Sequence, residues 1–217
     1  FREGGQAGGA TCKILLDTVR HWGPESAERV LDLYERRPSA AIVGFGMGGD
    51  ESAEPASRFA SSYLRARRLG LKTSVHAGEW SDARSVREAL DALRPDRIDH
   101  GIAAAADPEI LARLAGEGTV LCVAPSGNVM TGAVRSFHEH PLPRLLEAEV
   151  RVALSADDPL FFSTTTLSEY RKVFETFALD DRQLRQMAVN GWHAAFCTSE
   201  ERTQGLAALD AAMPGGV

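Results

Sequence analysis

What most constrains this chain is the regular alternation of short β-rich runs with stretches of helical spacing. The β-rich runs fall at residues 12–16, 40–45, 71–75, 97–100, 119–124 and 150–155. Between and after them, residues 25–36 carry Ala27, Val30, Leu31 and Tyr34 at helix period. Residues 57–69 carry Phe59, Ala60, Tyr63, Leu64 and Ala66 before a capping Gly70. Further helices are expected at 85–93, at 108–115 behind the cap Asp107, and at 142–148, 166–177, 181–195 and 199–212. The run 40–45 is almost continuously apolar, as in a strand covered on both faces. Such alternation with short loops builds parallel βα units, either an open doubly wound sheet or a (β/α)8 barrel. No dinucleotide-type glycine fingerprint follows the first strand and no Gly-Lys-Ser/Thr phosphate cradle occurs, which lowers the nucleotide-binding sheets. Ionisable residues gather instead at the C-terminal ends of strands, where barrel enzymes build their sites. The expected fold class is therefore α/β of the (β/α)8 TIM-barrel type, here an incomplete barrel with six of eight strands, in a single domain over residues 1–217.

At 217 residues and 44% hydrophobic content the chain can bury a sizeable core. Its net charge of -6 comes without a compact basic run, which argues against a nucleic-acid partner and for a small solute. No apolar run approaches the roughly 18 residues a membrane helix needs, and residues 1–5 lack a signal-peptide pattern, so the expected setting is soluble and cytoplasmic. Residues 2–10, rich in Gly and Ala, read as the end of something that began earlier. Cys12, Cys122 and Cys197 are odd in number and far apart, hence neither a disulfide framework nor a thiolate zinc site, and each reads as a small buried hydrophobe.

Three strand ends carry the chemistry. The run 71–75 empties into His76-Ala77-Gly78-Glu79, which sets an imidazole suited to zinc three residues from a carboxylic acid able to move a proton. A surface turn with a helix-capping glutamate has the same local sequence. Asp99-His100-Gly101 ends the next strand, and His100 reads either as functional or as a satisfied structural histidine. Asp157-Asp158-Pro159 sets two carboxylates side by side, which repel unless a cation or a donor holds one of them. An ordinary turn with a helix cap is the alternative there. Gly46 to Gly49 forms a glycine-rich strand-end loop that either lets a ligand approach bare backbone or only turns tightly. His138, His140 and His193 have no partner pattern and read as structural or exposed, while Trp22, Trp80 and Trp192 read as packing residues.

Taken together, Gly48-Gly49-Asp50-Glu51, residues 73–79, residues 97–101, residues 122–128 with Thr131-Gly132, and residues 154–159 resemble the adenosine deaminase family of metal-dependent purine deaminases, within the amidohydrolase superfamily. Order and spacing fit from about residue 12 to about residue 200. The resemblance implies one Zn2+ ion, with His76 and Asp157 as its ligands. It implies Glu79 as the acid that protonates purine N1 during attack at C6, and His100 as the group that orients and helps deprotonate the zinc-bound water. Asp158 becomes the carboxylate that contacts the attacking hydroxide and the substrate, and Gly49 falls where the backbone meets the purine. The implied reaction is hydrolytic loss of the 6-amino group of adenosine or a related adenine nucleoside, with release of ammonia.

Two departures from the family pattern stand out. The His-x-His pair that the family carries on its first strand is absent from these 217 residues, so the chain starts at what resembles the third barrel strand. By itself it is then expected to bind metal weakly and turn over little, or to serve as an inactive barrel fragment that binds or assembles through exposed barrel edges, including with itself. Gly46-Met47-Gly48-Gly49 also replaces an Asp-Leu-Ala-Gly form common in adenosine-specific members. The extra glycines remove side chains beside the purine, which brings in aminodeoxyfutalosine deamination in menaquinone synthesis as an alternative.

Overall fold

The computed structural model describes residues 12–213; the Gly- and Ala-rich residues 2–10 lie outside them. Six strands, β1 (Ile14–Val19), β2 (Ile42–Gly48), β3 (Lys72–Ala77), β4 (Arg97–His100), β5 (Val120–Val123) and β6 (Val152–Leu154), form one sheet in the order of the sequence. Every neighbouring pair is parallel. Helices α1 (Pro24–Arg36), α2 (Ala60–Arg68), α3 (Ala83–Glu88), α4 (Pro108–Glu117), α5 (Pro125–Met130) and α6 (Leu142–Glu147) lie between strands, and α7 (Pro159–Phe162), α8 (Thr166–Phe177), α9 (Asp181–Ala194) and α10 (Ser199–Ala212) follow β6. This is a partial α/β barrel in which each connection is a βα crossover.

The two faces of the sheet have different chemistry because side chains alternate along each strand. One face presents Phe45, Met47, Val75, Ala77, Ile98, Leu121, Val123 and Val152, and it packs under Leu31, Tyr63, Leu93, Leu114, Leu145 and Met187 of the surrounding helices. Tyr63 ties helix to sheet by donating its hydroxyl to the Ser74 carbonyl at 2.6 Å. The opposite face carries Asp17, Gly46, Ser74, His76, Arg97 and Asp99 at neighbouring positions, set by the pairings Asp17 with Gly46, Ser74 with Arg97 and His76 with Asp99. That polar row runs toward the C-terminal strand ends.

Local signals fix the helix ends. Asp107 caps α4 by accepting from the N–H groups of Glu109 and Ile110, and Gly118 closes it at φ +69°. Thr165 with Ser168, Asp180 with Gln183, and Thr198 with Glu201 form reciprocal capping boxes on α8, α9 and α10.

Several expectations are corrected. Gly46 to Gly48 belong to β2, not to a loop. Residues after Ala124 form α5, a helix not among those expected. Cys12 is exposed and Cys122 and Cys197 are half-buried, so none of the three is fully covered. Trp22 and Trp80 are 65% and 56% exposed and do not pack in the core. Among the described residues, no helix is long and apolar enough to cross a membrane.

Candidate active site

The parallel register brings the chemically interesting residues to one end of the sheet. His76 is the fifth residue of β3, Glu79 lies just past its end, His100 ends β4, Asn128 sits in α5 after β5, and Asp157 follows β6. Ligand atoms of Glu79, His100 and Asp157 all lie within 4.8 Å of one another. His100 Nε2 is 3.4 Å from Glu79 Oε2, and the His76 and His100 ring centroids are 5.0 Å apart. Four of the expected site residues therefore surround one space. Asp158 is exposed at the start of α7, outside that cluster. Gly49 is exposed at φ +92°, packed against Val19 and His21.

Backbone strain marks the same place. His100 and Asp157 hold left-handed backbone at φ +65° and +54°, which costs a residue with a Cβ of order 1 kcal/mol and recurs at functional sites. A Cβ at Gly127 would meet Asp157 Oδ2 at 2.7 Å, so α5 approaches the Asp157 carboxylate only because residue 127 has no side chain.

Glu79 is placed by another carboxylate. Glu51, 7% exposed, accepts from the N–H groups of Gly78 at 2.6 Å, Glu79 at 2.8 Å and Trp80 at 3.2 Å, and from the hydroxyls of Ser81 and Ser85. Burial pushes its pKa up, but these donors outweigh burial and hold it below the ordinary glutamate value. Arg20, 2% exposed, braces the preceding turn by donating to the His76 carbonyl at 2.8 Å. The Glu79 side chain reaches back to accept from Asn128 Nδ2 at 3.1 Å. Burial raises its pKa, against the lowering pull of His76 and Asn128. Burial, and then the charge of Asp158, raises Asp157. Burial pushes His100 down to about 3, with His76 adding to the effect.

Sequence reasoning gave no site role to three members of this network. Asp17 on β1 points its carboxylate at β2: a Cβ at Gly46 would lie 2.9 Å from Asp17 Oδ1, and one at Gly48 would lie 3.3 Å from Oδ2. The Asp17 carboxylate thus lies beside both glycines. An acid inside an apolar strand, after Ile14-Leu15-Leu16, was the available signal. Asp99 accepts from Ser74 Oγ and stands 3.7 Å from His76 Nδ1. His140 is 3% exposed and hydrogen-bonded to Asn128 at 3.2 Å, a link without a local sequence signal.

The donor set suits a borderline cation such as zinc, which takes imidazole nitrogen and carboxylate oxygen. Glu79 and His100 are both tied to Asn128. His76 Nδ1 is buried without a hydrogen-bond partner, 3.7 Å from Asp99 Oδ2, and the His76 ring and the Asp157 carboxylate add an imidazole and a carboxylate to this donor set.

Comparison with known proteins identifies the family. The family profile described as adenosine deaminase matches residues 1–212. The chain belongs to the adenosine deaminase family. Among curated members, adenine deaminase of Rhizobium meliloti (strain 1021) is 39% identical over 201 residues, covering 93% of this chain and 62% of the relative. Adenine deaminase of Chelativorans sp. (strain BNC1) is 39% identical over 196 residues, covering 90% and 60%. The crystal structure of adenine deaminase from Arthrobacter aurescens superposes with a TM-score of 0.92 at 28% identity, over 99% of this chain and 65% of that one. An amidohydrolase from Burkholderia ambifaria solved with bound Zn gives a TM-score of 0.91 at 25% identity, over 97% and 59%. The chain thus spans about three fifths of the length of the family members it matches.

Proposed function

We propose that the protein to which this chain belongs catalyses hydrolytic deamination of a 6-aminopurine, with free adenine as substrate and ammonia as product. The observation that carries this reading is the buried Glu79 carboxyl, its side chain 8% exposed, set against His100 and Asp157 at the strand ends. Adenine is favoured over adenosine and aminodeoxyfutalosine because the curated relatives at 37–39% identity are adenine deaminases, and because Asp17 fills the space beside Gly46 and Gly48.

In this reading His76 and Asp157 hold zinc, which when bound brings the pKa of a coordinated water to about 7. Glu79, its pKa raised mainly by burial, delivers a proton to a purine ring nitrogen. His100, kept neutral by burial, orients the attacking oxygen. Asp158, at the exposed mouth of the site, contacts the incoming hydroxide and substrate, and the Gly49 backbone meets the purine edge. Ammonia release from adenine and adenosine by the zinc-loaded full-length protein tests the proposal. Adenine is expected to exceed adenosine by at least about 100-fold in kcat/KM, the discrimination a pocket shaped for the smaller substrate supplies. Preference for adenosine, or no turnover of either, overturns it.

A further inference from the structure

Behind the site runs a line of hydrogen bonds that begins at a group with only one role. The backbone N–H of Leu142 lies 3.1 Å from His140 Nδ1. An amide N–H donates and never accepts, so this nitrogen is the acceptor and the neutral His140 ring carries its proton on Nε2. That nitrogen is 3.2 Å from Asn128 Oδ1. With the amide oxygen receiving His140, the amide nitrogen faces the other way, where it donates to Glu79 Oε1 at 3.1 Å and to His100 Nδ1 at 3.0 Å. The carboxylate at the far end requires the same amide orientation as the backbone N–H at the near end. His100 Nδ1 is thereby an acceptor and is unprotonated. Asn128 is fully buried, and His100 and His140 are each 3% exposed, so water does not offer substitute partners.

We infer that His140 and Asn128 are positioning residues that fix the proton of His100 on Nε2, so that His100 faces the reacting atoms as a hydrogen-bond donor. Nothing in the reaction chemistry itself demands this tautomer; the fold imposes it from Leu142 outward. The inference rests on the proposed deamination only for the identity of the atoms that His100 meets.

Long-range 1H–15N spectra of the full-length protein at neutral pH read the tautomer directly, without substrate. Resonances of His100 and His140 are assigned by their loss in His100→Gln and His140→Gln. Both rings are expected in the Nε2–H form. Asn128→Asp replaces the donor with an acceptor, and the His100 proton is expected to move to Nδ1. His140→Phe keeps ring volume but frees the Asn128 amide, which gives His100 a mixture of tautomers and lowers kcat about tenfold with little change in KM. His140→Gln, whose amide still donates to Asn128, restores both the tautomer and most of kcat, although a merely structural role would predict similar losses in the two variants. His100 protonated on Nδ1 in the unaltered protein overturns the inference, as does a tautomer that stays put in whichever of Asn128→Asp and His140→Phe folds. An Nε2–H His100 in a protein that does not deaminate adenine upholds it and sinks the proposed reaction alone.

Discussion

The Glu51 carboxylate accepts the backbone N–H of Glu79 at 2.8 Å, so one acid anchors the main chain of another. The segment from Gly78 to Ser81 lies between β3 and α3 with no sheet or helix ladder of its own. Its N–H groups at Gly78, Glu79 and Trp80 are satisfied by Glu51 instead, and the position of the Glu79 side chain follows from that clamp.

Replacing Glu51 by Gln tests the clamp. An amide offers one oxygen and sets an NH2 against N–H and O–H donors, so at least one buried donor loses its partner. The expected cost is about 2 kcal/mol, or roughly 4 to 8 °C in Tm for a chain of this size. Because the pKa of Glu51 is lowered in the folded state, its ionised form stabilises the fold above the ordinary glutamate value. That contribution is lost as pH falls through the depressed value. Thermal melts at pH 7 and pH 4 are expected to differ less for the variant than for the unaltered protein.

The buried histidines act on acid stability in the same direction from a higher starting point. Burial pushes His140 down to about 4 and His100 to about 3, against 6.5 for a free imidazole. Below pH 6.5 the unfolded chain binds protons that the folded chain refuses, so stability falls as pH drops from 6.5 toward those values. Each histidine contributes up to about 1.4 kcal/mol per pH unit. Urea midpoints measured with chelator at pH 7.5, 6, 5 and 4.5 are expected to fall, and His140→Gln is expected to flatten the part of the slope that His140 supplies.

Glu79→Gln separates proton delivery from folding. The Gln Oε1 still accepts from Asn128 Nδ2 in the geometry of the present 3.1 Å bond, so Tm is expected to change by no more than a few degrees. Deamination is expected to fall by about 10² to 10⁴, the span of general acid catalysis. Ammonia release and circular dichroism on the same preparation check both halves; retention of a tenth or more of the activity would remove Glu79 from the acid role.

Metal content tests the two proposed zinc ligands. His76→Ala and Asp157→Ala are each expected to abolish stoichiometric zinc by elemental analysis of the full-length protein. Asp99 stands 3.7 Å from His76 Nδ1, the position from which a carboxylate orients a ligating ring. Asp99→Asn is therefore expected to weaken zinc by about 10- to 100-fold in a competition titration. Treatment with chelator is expected to remove activity that added zinc restores.

The fold was legible where its cause is local. Residues 97–100, 166–177 and 199–212 emerge at their observed bounds, because Thr165 with Ser168 and Thr198 with Glu201 write helix starts into neighbouring positions. Helix α5 was missed because Pro125-Ser126-Gly127-Asn128 has poor helix propensity and is held by tertiary contacts, including the Ser126 N–H on the buried Glu169 carboxylate at 2.9 Å. The site was legible as a set of strand ends, since His76, Glu79, His100 and Asp157 are chemically conspicuous. What supports them was not. Glu51 reaches Glu79 across 28 positions, and His140 reaches His100 only through Asn128. The exposure of Trp22 and Trp80 escaped for a related reason, because hydrophobicity does not say which surface covers a side chain.

Gly46 and Asp17 provide the sharpest test of packing on the polar face of the sheet. A methyl group at residue 46 would sit 2.9 Å from Asp17 Oδ1, closer than a carbon and an oxygen approach without repulsion. Asp17 is exposed at the sheet edge, with a pKa raised mainly by partial desolvation of its carboxyl, so the carboxylate can yield by turning toward solvent. Gly46→Ala is expected to destabilise by about 1 kcal/mol, the low end of the cost of overpacking. Asp17→Ala removes the obstacle, and the double variant is expected to recover about 0.5 kcal/mol of the loss in a double-mutant cycle of urea melts. If the two effects simply add, the glycine is not there for Asp17, and the space beside β2 returns to consideration as part of the substrate pocket.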